Sequence, residues 1–155
     1  MIDKKLKKID IWKNKGLKIG VANGCFDLLH KGHKYLLKKS KQQSDKLIVL
    51  LNSDNSIQKI KGPDRPIERE IVRKKKLLKL GYVDDVIVFN KKTPLSIIKK
   101  IKPDFIFKGS DYIKKNIIGY NFIKKYGGKV KIIKLFKNYS TTNLIKNTND
   151  KKNSR

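Results

Sequence analysis

"LKIGVANGCFDLLHKGH", residues 17–33, decides the fold. Its first seven residues form a short apolar run that ends on Asn23 and is followed by Gly24. A run of that length bounded by a Gly turn reads as a buried strand. From His33 the segment "HKYLLKKSKQQ", with Tyr35, Leu36 and Leu37, reads as a helix. A second apolar run, "KLIVLLN" (46–52), is of the kind found in strands covered on both faces.

The same alternation continues outward. "NSDNSIQKI" opens with capping residues and reads as a short helix. "KGPDRP" (61–66) reads as a loop by its Gly and two prolines. "IEREIVRKKKLLKLG" reads as a helix with Ile67, Ile71 and Leu78 on its repeating face and Gly81 as its stop. "DDVIVF", "PDFIFKG" and "KVKIIKLF" are three more strands. Between and after them lie "TPLSIIKKI" with a Thr cap, "NIIGYNFIKKYGG" closed by glycines, and "STTNLIK". Five strand–helix repeats in one domain predict an α/β fold: a Rossmann-like, doubly wound, mostly parallel five-stranded sheet with helices on both faces. The N-terminal "DKKLKKIDIWKNK" reads as an amphipathic helix offering Leu6, Ile9 and Trp12 for packing.

The net charge is +27. Its make-up argues against a nucleic-acid surface. There are 36 Lys but only 4 Arg, beside 21 Ile, 12 Asn and a single Ala. That is the output of AT-rich codons, and the lysines are spread over every helix rather than clustered with Arg and stacking aromatics. The charge would still steer anionic substrates. No run of about 18 apolar residues is present, so no membrane span is expected. The N-terminus lacks an apolar signal core, and a cytoplasmic protein is expected. A lone cysteine, Cys25, excludes an internal disulfide and a multi-cysteine metal cage.

Parallel sheets bind ligands beyond the carboxyl ends of their strands, near the switch in strand order. The candidate residues fall there: Gly24 to His33 after the first strand, Asn52 to Asp54 after the second, Lys108 to Asp111 after the fourth, Ser140 to Thr142 after the fifth. His30 and His33 are the only two histidines. With His33 in the first helical turn, both rings can face one spot beside a helix N-terminus, where free amides and the side-chain-free Gly32 suit a phosphate. Zinc would need a third ligand, and Cys25 and Asp27 are oddly spaced for that.

His30-Lys31-Gly32-His33 matches the H-x-G-H signature of the nucleotidyltransferase superfamily, and "NGCFDLLHKGH" resembles its cytidylyltransferase-like branch. "NSD" (52–54), "KGPDRP", "VDDVIVF", "TPLSIIKKIKPDFIFKGSDY" and "STT" extend the resemblance to the heptose 1-phosphate adenylyltransferase family, from about Gly16 to Lys146. The chain then divides into an N-terminal helix (1–15), a nucleotidyltransferase domain (16–146) and a disordered tail (147–155). The resemblance implies in-line attack of a sugar phosphate on the α-phosphate of a nucleoside triphosphate, with pyrophosphate leaving and no covalent enzyme intermediate. His30, His33 and Lys108 would be catalytic. Asn23, Gly24, Cys25, Phe26, Gly32, Asp54, Lys61, Arg65, Gly109, Asp111, Ser140, Thr141 and Thr142 would bind nucleotide or phosphate. Mg²⁺ would arrive on ATP, with no protein metal motif required. A homodimer is a further implication.

Several of these residues carry rival readings. Lys61 and Arg65 are also what a charged loop would contain. Arg73 matches a family arginine, but also suits an exposed helix face. Asp54 could cap a helix or touch nucleotide, and Asp27 reads as a brace. Ser140 to Thr142 could cap the last helix and hold phosphate at once. Cys25 reads as a small buried side chain rather than a nucleophile. Ser110 and Asn138 stand where relatives often have Gly. The leading function is ADP-heptose formation from ATP. The alternatives are a cytidylyltransferase acting on glycerol 3-phosphate or a related alcohol phosphate, whose relatives usually read "GTFD" and usually lack "KGSDY", and a non-enzymatic basic binder of nucleic acid.

Overall fold

A computed structural model describes residues 1–134 of the chain. Five strands form one sheet: β1 (Ile19–Gly24), β2 (Lys46–Asn52), β3 (Asp85–Phe89), β4 (Phe105–Gly109) and β5 (Lys129–Ile133). Their order is β3-β2-β1-β4-β5 and every pairing is parallel. The helices are α1 (Ile2–Asn14), α2 (Lys31–Gln42), α3 (Asp54–Lys61), α4 (Glu70–Leu78), α5 (Leu95–Ile101) and α6 (Tyr120–Lys124), with a 3₁₀ turn at Lys114–Asn116.

Strand alternation splits the apolar residues into two cores. Ile19, Val21, Ile48, Leu50 and Ile106 face α1, α5 and α6. Ala22, Leu47, Val49, Leu51 and Phe107 face α2 and α4. The division follows from handedness. Crossovers that keep one hand must run over one face while the chain moves from β1 out to β3, and over the other when it returns to β4 and β5. β1 therefore sits at the switch, between β2 and β4. Gly20 makes room on the second face for the ring of Phe107 from the neighbouring β4, since a Cβ there would come within 2.5 Å of it.

The N-terminal helix packs on its own sheet. Ile9 is fully buried in the first core. Lys5 and Lys8 reach Asp85 at the start of β3, at 2.7 and 2.5 Å. Lys13 donates to the carbonyls of Ile101 and Lys102.

Three local expectations are corrected. The buried face of α4 is Arg73 and Leu77, while Ile67, Ile71 and Leu78 are exposed. The helix lies across β2 and β3 through Leu77, and a spacing count could not see which stripe the sheet would meet. Thr93 does not cap α5, which Pro94 precedes without a side-chain cap. The segment 116–128 is not one helix: Gly119, at φ +91°, breaks it before the short α6.

Candidate active site

β1 delivers its last residues to a turn whose backbone is unusual. Phe26 has φ +46° and Leu28 φ +54°, values sparsely used by side-chain-bearing residues. The turn ends at His30, the N-cap of α2. His30 Nδ1 accepts from the amides of Gly32 at 3.1 Å and His33 at 3.4 Å. His33 Nδ1 accepts from the His30 amide at 3.3 Å. The two histidines thus form a reciprocal capping box. Their rings stack with centroids 3.6 Å apart, and Phe26 meets His33 edge-on.

This arrangement fixes protonation. With each Nδ1 accepting, the ring proton is assigned to Nε2. Burial lowers the pKa of His30. Burial, then the charges of His30 and Lys61, lower that of His33 to about 3. Both rings are neutral Nε2–H donors at neutral pH. One expectation is corrected here: the amides of Gly32 and His33 are taken by His30, so α2 presents imidazole donors to the cleft instead of those amides. Gly32 still lines the cleft.

That cleft has a volume of about 480 Å³ and runs along the carboxyl ends of β1 to β4. It brings together eleven of the predicted residues: Asn23, Gly24, Cys25, Phe26, His30, Gly32, His33, Lys61, Lys108, Gly109 and Asp111. Lys61 is the last residue of α3, and the loop begins only at Gly62, φ +98°. Lys108 Nζ donates to the Asn23 carbonyl at 3.0 Å and lies 4.7 Å above the Tyr112 ring. Burial lowers its pKa to about 8, against the opposing pull of Asp111. The Asn23 Oδ1 is buried with no hydrogen-bond partner among the described residues. Burial raises the pKa of the Cys25 thiol, which keeps it protonated and a poor nucleophile.

Two predicted residues stand apart. Asp54 Oδ1 accepts from the Glu70 amide and from Arg73, both at 2.8 Å, and its own amide donates to Glu70. It lines a separate depression with Arg69, Glu70 and Asn90. Its carboxylate is consumed in starting α4, and Ser53 is the cap of α3. Arg65 does not line the cleft either; its Nε reaches Asp27 at 3.2 Å. Asp27, fully buried, also accepts from the amides of Ile67 and Glu68. It ties the β1 turn to the segment before α4, as a brace would. Ser140, Thr141 and Thr142, with Asn138, lie outside the described residues.

Arg73 is not an exposed helix arginine. It is 1% exposed and donates to the carbonyls of Cys25, Asn52 and Glu68 as well as to Asp54. One guanidinium holds the tips of β1 and β2 to α4.

Lys92, Thr93 and Pro94, after β3, also line the cleft, as do Asn52, Phe89 and Tyr112. The strand-end rule applied to the third strand would have found the β3 group. No helix among the described residues is long and apolar enough to cross a membrane. No cluster of three or more His, Cys, Asp or Glu side chains among them could hold a metal.

Comparison with known proteins agrees with this geometry. Residues 21–153 match the family described as cytidylyltransferase-like. The chain is 46% identical over 141 residues to the "Bifunctional protein HldE" of Paramagnetospirillum magneticum, covering 91% of this chain and 29% of that protein. The protein of the same name from Caulobacter vibrioides matches to the same extent. The chain thus spans less than a third of the length of these relatives. A crystal structure of the lipopolysaccharide core biosynthesis protein from Thermoplasma volcanium aligns at 31% identity and TM-score 0.62, covering 78% of this chain and 98% of that one. Pantoate-beta-alanine ligase from Francisella tularensis, at 17% identity and TM-score 0.55, shares the fold. With the family match running over most of its length and including the turn that carries His30 and His33, the chain belongs to the cytidylyltransferase-like family of nucleotidyltransferases.

Proposed function

We propose that this chain joins ATP and a heptose 1-phosphate to give ADP-heptose and pyrophosphate. The observation that carries the reading is the locked pair of neutral imidazoles at the start of α2, facing a cleft with Lys108 on its other wall. A phosphate oxygen of the sugar phosphate attacks the α-phosphorus. The bond from that phosphorus to the bridging oxygen of the β-phosphate breaks, and pyrophosphate departs with the electron pair. His30 and His33 donate Nε2–H to the phosphate oxygens where negative charge grows. Neutral donors suit this task, since they need no proton transfer. Lys108 offsets charge from the β4 side. Cys25 takes no part.

Asp111 is the one carboxylate among the described residues lining the cleft, and it suits a magnesium ion carried in on the triphosphate. MgATP is then the substrate, and the ion spreads the charge of the phosphates. We assign the catalytic unit to residues 16–146, working in the cytoplasm as a homodimer. The exposed Ile67, Ile71 and Leu78 offer an apolar surface for such an assembly, which sedimentation of the purified chain checks.

The family description keeps a second reading in view, cytidylyl transfer to glycerol 3-phosphate. One assay separates them: purified protein with Mg²⁺, each of ATP and CTP, and heptose 1-phosphate or glycerol 3-phosphate, following pyrophosphate. Release confined to ATP with the sugar phosphate supports the proposal. Release confined to CTP with glycerol 3-phosphate replaces it.

A further inference from the structure

We infer that the outer edge of β5 is a docking groove for an extended acidic segment of another protein, which joins the sheet there as an added strand. This surface is separate from the cleft, and the inference does not depend on the transfer reaction proposed above.

The two edges of the sheet are treated differently. β3 and β5 each have a neighbouring strand on one side only. Along a parallel strand, alternate residues turn their N–H and C=O towards the neighbour and the rest turn them away. On β3 the Phe89 carbonyl accepts from the Ser53 amide, so Val86 faces outward. The protein covers it: the Val86 amide donates to Asp85 Oδ1 at 2.7 Å, and its carbonyl accepts from Lys5 at 2.6 Å. On β5 the Lys129 amide donates to the Asp104 carbonyl, so Val130 and Ile132 face outward. Among the described residues no side chain covers their main-chain groups. An open edge of this kind is a template for another strand.

Charge says which strand. A depression of about 530 Å³ follows this edge, lined by Gly128 to Ile132 and by Lys114, Tyr120 and Lys124. Lysines flank it on both faces of the sheet. Lys131 Nζ lies 4.2 Å from the ring centroid of Phe105, which packs on the second core. Lys124 Nζ lies 4.8 Å from that of Tyr120, which packs on the first. No carboxylate among the described residues lines the depression, and Lys114, Lys124, Lys129 and Lys131 have no ion-pair partner among them. The sequence holds no Asp or Glu between Asp111 and Asp150. AT-rich codons explain the lysines but not the missing acid, since Asp and Glu also have codons rich in A and T.

An extended segment sends successive side chains to opposite faces. Its carboxylates would meet lysines on either face while its main chain pairs with Val130 and Ile132, the mode of recognition known as strand addition. Three other occupants fit less well. A second copy of β5 would set lysine against lysine, which destabilises a strand pair. Residues 135–155 of this chain carry four lysines, one arginine and a single Asp, the wrong charge for this groove. A nucleic acid needs aromatic faces for its bases, and Phe105 and Tyr120 already carry lysines.

The test uses a fluorescent peptide alternating Glu with Val, and the same sequence N-methylated throughout, which keeps the charge and cannot pair as a strand. Binding to the full chain is followed by fluorescence anisotropy at about 150 mM salt, where exposed charges are screened beyond about 8 Å. The unmodified peptide should bind and the N-methylated one should bind at least about tenfold more weakly. Hydrogen exchange of the Val130 and Ile132 amides should slow when the unmodified peptide is bound. Lys129→Glu combined with Lys131→Glu should raise its Kd about tenfold or more. Lys75→Glu combined with Lys79→Glu, the same change of charge on α4, should leave it within about twofold. Unchanged melting temperatures show that both variants are folded. Equal binding of the two peptides, or no slowing at Val130 and Ile132, overturns strand addition. Tighter binding of phosphatidylserine vesicles or of oligo-dT than of the peptide replaces the acidic segment with another class of partner. Val130 and Ile132 amides already protected in the free protein, with no peptide bound, would show the edge taken by the chain's own C-terminal residues and end the proposal.

Discussion

The two rims of the sheet use the same residue types for opposite ends. At the amino ends of the strands, carboxylates meet lysines and backbone amides. Asp104 accepts from the Ile19 amide, Asp84 from the Leu47 amide and Asp45 from the Lys18 amide. Lys41 and Lys46 reach Asp84, and Lys5 and Lys8 reach Asp85. Asp84, Asp85 and Asp104 each have a lysine partner here. At the carboxyl ends, Lys61, Lys92 and Lys108 face an open cleft whose single carboxylate among the described residues is Asp111. Lysine is structural on one rim and available on the other. In a chain of +27 net charge, what marks the site is the shortage of acid around its cations, not the cations themselves.

Arg73 is the exception on the carboxyl rim, because its donors are spent on carbonyls and Asp54. Arg73→Met should show the largest effect, about 3–5 kcal/mol of stability, since it leaves buried acceptors unpaired. Chemical denaturation measures it; a loss below about 1 kcal/mol would show that the tips of β1 and β2 stand without it. Arg73→Lys should rescue little, lacking the fork that spans four partners.

Next in size are the histidines. His30→Ala and His33→Ala should each lower kcat by roughly 10². His30→Ala should also cost about 1 kcal/mol of stability as a lost helix cap. Near-wild-type turnover in both would leave the carboxyl rim without its proposed chemistry. Because His33 is held neutral down to about pH 3, kcat/KM for ATP should show no inflection from His33 between pH 5.5 and 7.5.

Lys108 separates the rims by pH. Its folded pKa of about 8 means the charge is present below that value and lost as pH rises through it. Activity should fall about tenfold per pH unit above 8, and Lys108→Arg should move that fall to higher pH. On the amino rim, burial raises the pKa of Asp85, but hydrogen bonds from Lys5 and Lys8 outweigh it and the net shift is downward. A depressed carboxyl stabilises the fold above its unfolded pKa, near 3.9, and that contribution disappears as pH falls through the folded value. Asp85→Asn should therefore cost about 1–2 kcal/mol at neutral pH and flatten the acid limb of the stability curve, with activity at 25 °C nearly unchanged. The smallest effect is expected for Cys25→Ser, which should keep most activity. A collapse of turnover with ATP binding intact would put the thiol back into the mechanism.

Much of this was legible from residue order. Short apolar runs bounded by turn residues located all five strands, because a strand buried on both faces needs side chains that tolerate no water on either. Alternation with helices then implied the parallel sheet, and the strand-end rule placed His30, His33 and Lys108 on one rim. The chain could not say by itself what each polar side chain would find there. Asp54 and Glu70 cap each other across 16 residues. Arg73 reaches back 48 residues to the Cys25 carbonyl. His30 takes the amides that composition alone would leave for a phosphate. Periodicity records which residues prefer to avoid water, and that preference is local. Whether a cation is compensated, a carboxylate consumed or an imidazole kept neutral depends on atoms a few ångströms away from distant parts of the chain, and only the closed sheet decides which atoms those are.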